Sequence, residues 1–198
     1  VIARHGVTPL LATILVAALV MHFLGWIYSL PVWLVACAML VLYRDPDRRI
    51  PSRPLSVVSP ADGRIASVSH EPDPYLERAS LKIGIEMNPL GVFTTRSPVE
   101  GKVLEPHRNN TDHHEPHGVW LQTDEGDDIV MVMNRGRMNN KPRCYIGFGE
   151  RVGQGRRCGF VHWGGRIDIY LPDYSRAEVG ENARVQGGTD IIASLVHD

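Results

Sequence analysis

From Pro9 to Tyr43 the chain carries no Asp, Glu, Lys or Arg, and His22 is the one imidazole in the stretch. A run this apolar must be buried in protein or lipid, and it is longer than the roughly 20 residues that a single helix needs to cross a hydrocarbon layer. Gly25, Ser29 and Pro31 fall near its middle. The pattern therefore predicts two helices joined by a turn over 25–31. The second opens at Pro31, where a missing N–H is harmless, and is short enough to tilt or to lie partly in the interface. A cleaved signal peptide would have a shorter apolar core ending in small residues. Arg4 precedes the run and Arg44, Arg48, Arg49 and Arg53 follow it, so the positive-inside rule puts both ends in the cytoplasm, which a hairpin satisfies and one straight helix does not. Trp26, Tyr28 and Trp33 cluster at the turn, as aromatic rings do at a membrane interface. The expectation is an N-terminal α-helical hairpin over residues 1–43, transmembrane or re-entrant in the cytoplasmic (inner) membrane, with residues 44–198 on the cytosolic side.

Beyond residue 44 the texture changes to short β-branched runs punctuated by Gly, Pro, Asn and Asp. Strands are predicted over 57–69, 81–87, 101–104, 119–123, 129–133, 143–146, 157–161, 166–171 and 191–195. Two echoes stand out: Ser59-Pro60-Ala61-Asp62-Gly63-Arg64-Ile65 against Ser97-Pro98-Val99-Glu100-Gly101-Lys102-Val103, and Gly149-Glu150-Arg151-Val152-Gly153-Gln154-Gly155 against Gly180-Glu181-Asn182-Ala183-Arg184-Val185-Gln186-Gly187. Such pairs resemble the turn-and-strand units of barrel-sandwich hybrid domains, related to biotinyl and lipoyl carriers. No lysine sits at a hairpin tip in the carrier pattern. The fold class expected is mainly β, a barrel-sandwich-hybrid-like domain behind the helical hairpin.

The net charge of −1 over 198 residues gives no global field that would recommend nucleic acid as a partner. Cys37, Cys144 and Cys158 are odd in number, far apart and without metal-ligand spacing, consistent with a reducing setting. One cluster could bind zinc or another divalent ion: His113, His114 and His117 with Asp112 and Glu115, and His107 upstream. Against a metal site, adjacent histidines in a loop cannot all point at one ion.

The segments that carry chemistry are Arg44-Asp45-Pro46 after the apolar run, Val57-Val58-Ser59-Pro60-Ala61-Asp62-Gly63, Met87-Asn88-Pro89-Leu90-Gly91-Val92-Phe93-Thr94-Thr95-Arg96-Ser97-Pro98, and Phe160-Val161-His162-Trp163-Gly164-Gly165-Arg166-Ile167-Asp168-Ile169-Tyr170-Leu171-Pro172. Together they resemble the short bacterial and archaeal form of phosphatidylserine decarboxylase from about Arg44 to the C-terminus. In that family a Ser hydroxyl attacks the preceding Gly carbonyl, cuts the chain and becomes a pyruvoyl group. The pyruvoyl ketone then takes the place of an organic cofactor. The resemblance puts Gly165 at the Ser, Phe93 at the processing His and Asp62 at the processing Asp. Glycine has no hydroxyl and a phenyl ring moves no proton, so of the three only Asp62 keeps its chemistry and no pyruvoyl group can form at Gly165. Glu115-Pro116-His117 falls near the family's Asn-Glu-Arg loop.

Three readings follow. The first is a pseudoenzyme of phospholipid metabolism that binds the membrane and phosphatidylserine or a related headgroup, or that regulates a related decarboxylase or self-associates. The second is an active decarboxylase that makes phosphatidylethanolamine through a non-standard processing residue. The nearby hydroxyls for that role are Ser175 and Thr189. The third is a metal-dependent membrane protein built on the His cluster.

Overall fold

The computed structural model describes residues 4–104, 117–136 and 139–196, and the chain divides into two compact units, Val1–Asp47 and Arg48–Asp198.

In the first unit the apolar run forms two helices, α1 (Arg4–Leu24) and α2 (Trp26–Leu42). They are separated by Gly25 alone, at φ 93° and ψ 171°, a conformation that costs glycine little and other residues much. The predicted turn over 25–31 is thus a single residue, and Pro31 lies inside α2 rather than opening it. That early in a helix, proline deprives one carbonyl of its partner, and the Ser29 hydroxyl donates 2.8 Å to the neighbouring Trp26 carbonyl. The helices pack antiparallel on small residues. Ala17 and Ala36 are buried, Thr13 Oγ1 lies 3.4 Å from Met39 Sδ, and a Cβ on Gly6 would come within 2.5 Å of Tyr43 Cβ. Leu11, Leu15, Leu19, Phe23, Ile27, Leu34 and Val41 are exposed, so the hairpin presents many large apolar side chains on its surface. By length and composition, residues 6–23 of α1 suffice to cross a membrane, and α2 is a shorter apolar helix.

The second unit is mainly β. Its strands are β1 (Ser56–Val58), β2 (Gly63–Asp73), β3 (Arg78–Met87), β4 (Thr94–Arg96), β5 (Gly101–Leu104), β6 (His117–Gln122), β7 (Asp128–Met133), β8 (Arg143–Cys144), β9 (Arg151–Val152), β10 (Arg157–Phe160), β11 (Arg166–Pro172), β12 (Arg176–Ala177), β13 (Arg184–Val185) and β14 (Ile191–Ser194). An eight-stranded antiparallel sheet runs β13-β2-β3-β11-β7-β6-β5-β9, with two three-stranded sheets, β1-β14-β12 and β4-β10-β8. None of the three closes into a barrel among the described residues. The main core is built from Ile65, Ile83, Ile85, Met87, Leu121, Ile129, Met131, Met133, Ile167, Ile169 and Leu171, each at most 1% exposed. On the other face of the sheet Val130, Val132 and Tyr170 are covered by Tyr75 and Leu76 from the β2–β3 turn. Gly118 makes room there, since a Cβ would stand 2.7 Å from Tyr75 Cε1.

The predicted strand over 57–69 is split by a tight turn. Pro60 has no N–H for a ladder, and Ser59 Oγ donates 2.8 Å to the Ala61 carbonyl. The echo repeats this, with Ser97 Oγ donating 2.7 Å to the Val99 carbonyl. The two turns clasp each other: Val58 N–H donates to the Pro98 carbonyl at 2.9 Å and Arg96 N–H to the Pro60 carbonyl at 2.8 Å. Their glycines answer the same need, because a Cβ on Gly63 or Gly101 would lie 2.1 or 2.3 Å from the carbonyl oxygen of Glu86 or Gln122. The second echo places β13 beside Gly63 and β9 beside Gly101, at opposite edges of the large sheet. The sequence repeat is therefore a structural one.

Candidate functional site

The segment 87–93 gathers the three residues singled out in the sequence. Met87 N–H donates 2.9 Å to the Gly165 carbonyl and Asn88 N–H donates 3.2 Å to the Asp62 carbonyl, so Gly165 and Asp62 flank one dipeptide. Phe93 accepts 2.9 Å from Val161 N–H through its carbonyl. Three segments far apart in sequence meet here because β3 ends at Met87 between β2 and β11.

Asp62 has both carboxylate oxygens engaged. Oδ2 accepts 2.6 Å from Arg48 Nη2 in an ion pair whose side chains are 11% and 22% exposed, and Oδ1 accepts 2.8 Å from Gly187 N–H. The Gly187 turn carries Thr189, whose N–H donates 3.2 Å to the Gln186 carbonyl. Ser175 lies on the turn between β11 and β12, with its N–H on the Pro172 carbonyl at 2.9 Å.

Phe93 is 2% exposed. Its ring meets Phe160 edge-on at 6.0 Å and Trp163 at 6.1 Å, and Phe160 in turn meets His162 edge-on at 4.6 Å. Such edge-to-face geometry suits the quadrupoles of the rings and fills the space a smaller polar side chain would leave partly empty. The backbone then bends sharply, with Trp163 at φ 61° and Gly164 at φ 68°. A tryptophan held in the left-handed region is uncommon and stores strain. Gly165 is hemmed in on three sides: a Cβ there would stand 3.1 Å from Val161 Cγ1, 3.2 Å from the Arg135 carbonyl oxygen and 3.3 Å from Gly136 Cα. Just beyond, Arg166 Nε donates 2.7 Å to Asp168 Oδ1 and Asn134 Nδ2 donates 2.7 Å to Asp168 Oδ2, an arrangement that orients β11.

Two residues with chemistry at this place were not visible in the sequence pattern. Arg48 reads like any of the arginines flanking the apolar run, yet Arg53 goes to exposed Glu178 while Arg48 goes to Asp62. His162 brings an imidazole into the aromatic cluster, and its only signal was its place two residues before Gly164. The metal reading rests on His107, Asp112, His113, His114 and Glu115, which lie outside the described residues, and on His117, of which the backbone alone is described at the start of β6. No group of three or more metal-binding side chains occurs among the described residues.

In sequence, the chain matches known proteins over nearly its full length. The family model for phosphatidylserine decarboxylase matches residues 38–193. The phosphatidylserine decarboxylase proenzyme of Nitrosomonas eutropha is 36% identical, covering 98% of this chain and 95% of the relative. That of Nitrosomonas europaea is 34% identical over the same shares, and that of Burkholderia cenocepacia is 36% identical over 98% of this chain and 96% of the relative. The chain belongs to the phosphatidylserine decarboxylase family. At Gly164-Gly165, where the resemblance places the family's pyruvoyl group, the residues do not fit it: Gly165 offers no hydroxyl, and the Phe93 ring that stands at the position of the processing His is buried and accepts no proton.

Proposed function

We propose that this chain is a membrane-anchored family member that binds phospholipid headgroups, phosphatidylserine foremost, without decarboxylating them. The observation that carries the reading is the packing of Phe93, 2% exposed between Phe160 and Trp163, at the place where the resemblance calls for a proton acceptor. Asp62 adds support, since its carboxylate is held by the Arg48 guanidinium and Gly187 N–H. Intact mass under denaturing conditions tests it. One polypeptide of unmodified mass is expected, with no adduct trapped by borohydride in the presence of phosphatidylserine. Two fragments meeting near Gly164 and Gly165, or carbon dioxide release from phosphatidylserine, would overturn it.

The relatives' names favour a second reading, an active phosphatidylserine decarboxylase processed at another hydroxyl. A cut before Thr189 or Ser175 in the same mass measurement would establish it. Anchoring through the α1–α2 hairpin, with the β unit on the cytosolic side, is supported by the exposed apolar surface of the helices and the flanking arginines. Full-length protein should need detergent for extraction, whereas deleting the residues before Arg44 should leave a soluble β unit. Protease access to the β unit from outside intact cells would count against that orientation.

A further inference from the structure

Arg48 presents a planar fork of donors, and the structure uses half of it. Nη2 donates 2.6 Å to Asp62 Oδ2, while Nη1 is buried from solvent with no hydrogen-bond partner. The pairing with Asp62 is single-pronged: Oδ2 alone meets the guanidinium, while Oδ1 accepts from Gly187 N–H at 2.8 Å, in place of the two-pronged pairing that guanidinium and carboxylate otherwise favour. A charged donor withdrawn from water and left unpaired is costly, and native structures rarely keep one without an occupant. The vacant prong lies on the side chain that holds the one processing residue the family resemblance leaves intact here.

We propose that Arg48 is an oxyanion receptor whose Nη1 takes a phosphate oxygen beside Asp62. The inference rests on the headgroup reading above and deepens it, naming the phosphodiester as the group recognised. Guanidinium is suited to this because its planar fork holds a carboxylate on one prong and a phosphate oxygen on the other at a fixed spacing, whereas an ammonium is a compact point charge without that preset geometry. Inorganic phosphate shares the chemistry, and the two sources are separable.

The full chain in a neutral detergent is titrated by calorimetry with dihexanoylphosphatidylserine and, separately, with inorganic phosphate. Arg48→Lys keeps a cation for Asp62 but removes the fixed fork that places Nη1. It should weaken lipid binding about tenfold, the factor for one charge-assisted hydrogen bond. Asp62→Asn should tighten binding, because the guanidinium is then no longer neutralised, whereas a pair that merely braces the fold would leave affinity unchanged or reduced. Arg48→Lys binding the lipid as tightly as the unaltered chain, or Asp62→Asn binding no more tightly, would overturn the inference and leave headgroup binding standing. Binding of phosphate but not lipid, lost in Arg48→Lys, would support the oxyanion site and overturn the headgroup reading. Binding of neither ligand by the unaltered chain would overturn both.

Discussion

Replacing Phe93 by histidine puts back the residue type that the family resemblance expects, and the structure predicts that the fold will resist it. The ring is 2% exposed and meets Phe160 at 6.0 Å and Trp163 at 6.1 Å. Each such contact contributes about 0.5–1.5 kcal/mol beyond burial. An imidazole in its place has an N–H and a lone pair to satisfy, at about 1–3 kcal/mol for a buried group without a partner. Asp62 offers little rescue, because its carboxylate is already held by the Arg48 guanidinium and Gly187 N–H. Together these give about 3 kcal/mol, or about 6–12 °C in melting temperature for a unit of this size. The loss should grow in acid. Burial lowers the folded-state pKa of the introduced imidazole below its unfolded value of about 6.5, so the unfolded chain binds the proton and stability falls as pH drops below that value. At pH 5.5 the added loss is about 1.4 kcal/mol if the folded imidazole stays neutral. Thermal melts of Phe93→His in detergent, followed by circular dichroism at pH 8 and 5.5, measure both effects. A variant that melts within about 2 °C of the parent, or a gap that does not widen in acid, would refute the packing argument.

Gly165→Ser alone should fold with a penalty of about 1 kcal/mol, since its Cβ needs neighbours at 3.1–3.3 Å to yield by a few tenths of an ångström, and its denatured mass should still be that of one chain. Even Gly165→Ser with Phe93→His should cut slowly or not at all while Arg48 holds Asp62; fragments would appear in the same spectrum. Burial pushes the Cys158 thiol up to about 12, so alkylation at pH 8 should modify it only after unfolding, as peptide mapping would show. The hydrogen bond to Asp127, aided by burial, raises Tyr174 to about 12; Asp127→Asn should bring its ionisation back toward 10, read from phenolate absorbance.

What the sequence disclosed and what it withheld have physical causes. Strands such as Ile129–Met133, apolar throughout, and Ile167–Leu171, with Asp168 as its one charged residue, were legible because both faces are covered and nearly every position is buried. The edge pieces β9, β12 and β13 hold two residues each. They exist because a partner lies beside them, and no local propensity announces that. The hairpin is legible from the absence of charge, but its turn is narrower than the sequence predicts: Pro31 suits a helix start, yet Gly25 alone makes the break and Pro31 lies inside α2. At the site, the identities of Asp62, Phe93 and Gly165 could be read directly. The commitment of Asp62 to Arg48 is a contact between positions 48 and 62 that no spacing rule encodes.

The placement of β11 also governs how a break in this chain could be seen. It starts at Arg166, immediately after Gly165, and runs through the middle of the large sheet, paired with β3 over Arg166–Pro172 and with β7 over Ile167–Tyr170. Past it, β13 borders β2, and β14 lies between β1 and β12. A severed C-terminal piece would therefore stay interlaced with the rest by ladders on both flanks. Size-exclusion profiles, native electrophoresis and melting curves would all report an intact molecule. Only unfolding the protein first would let the two pieces part.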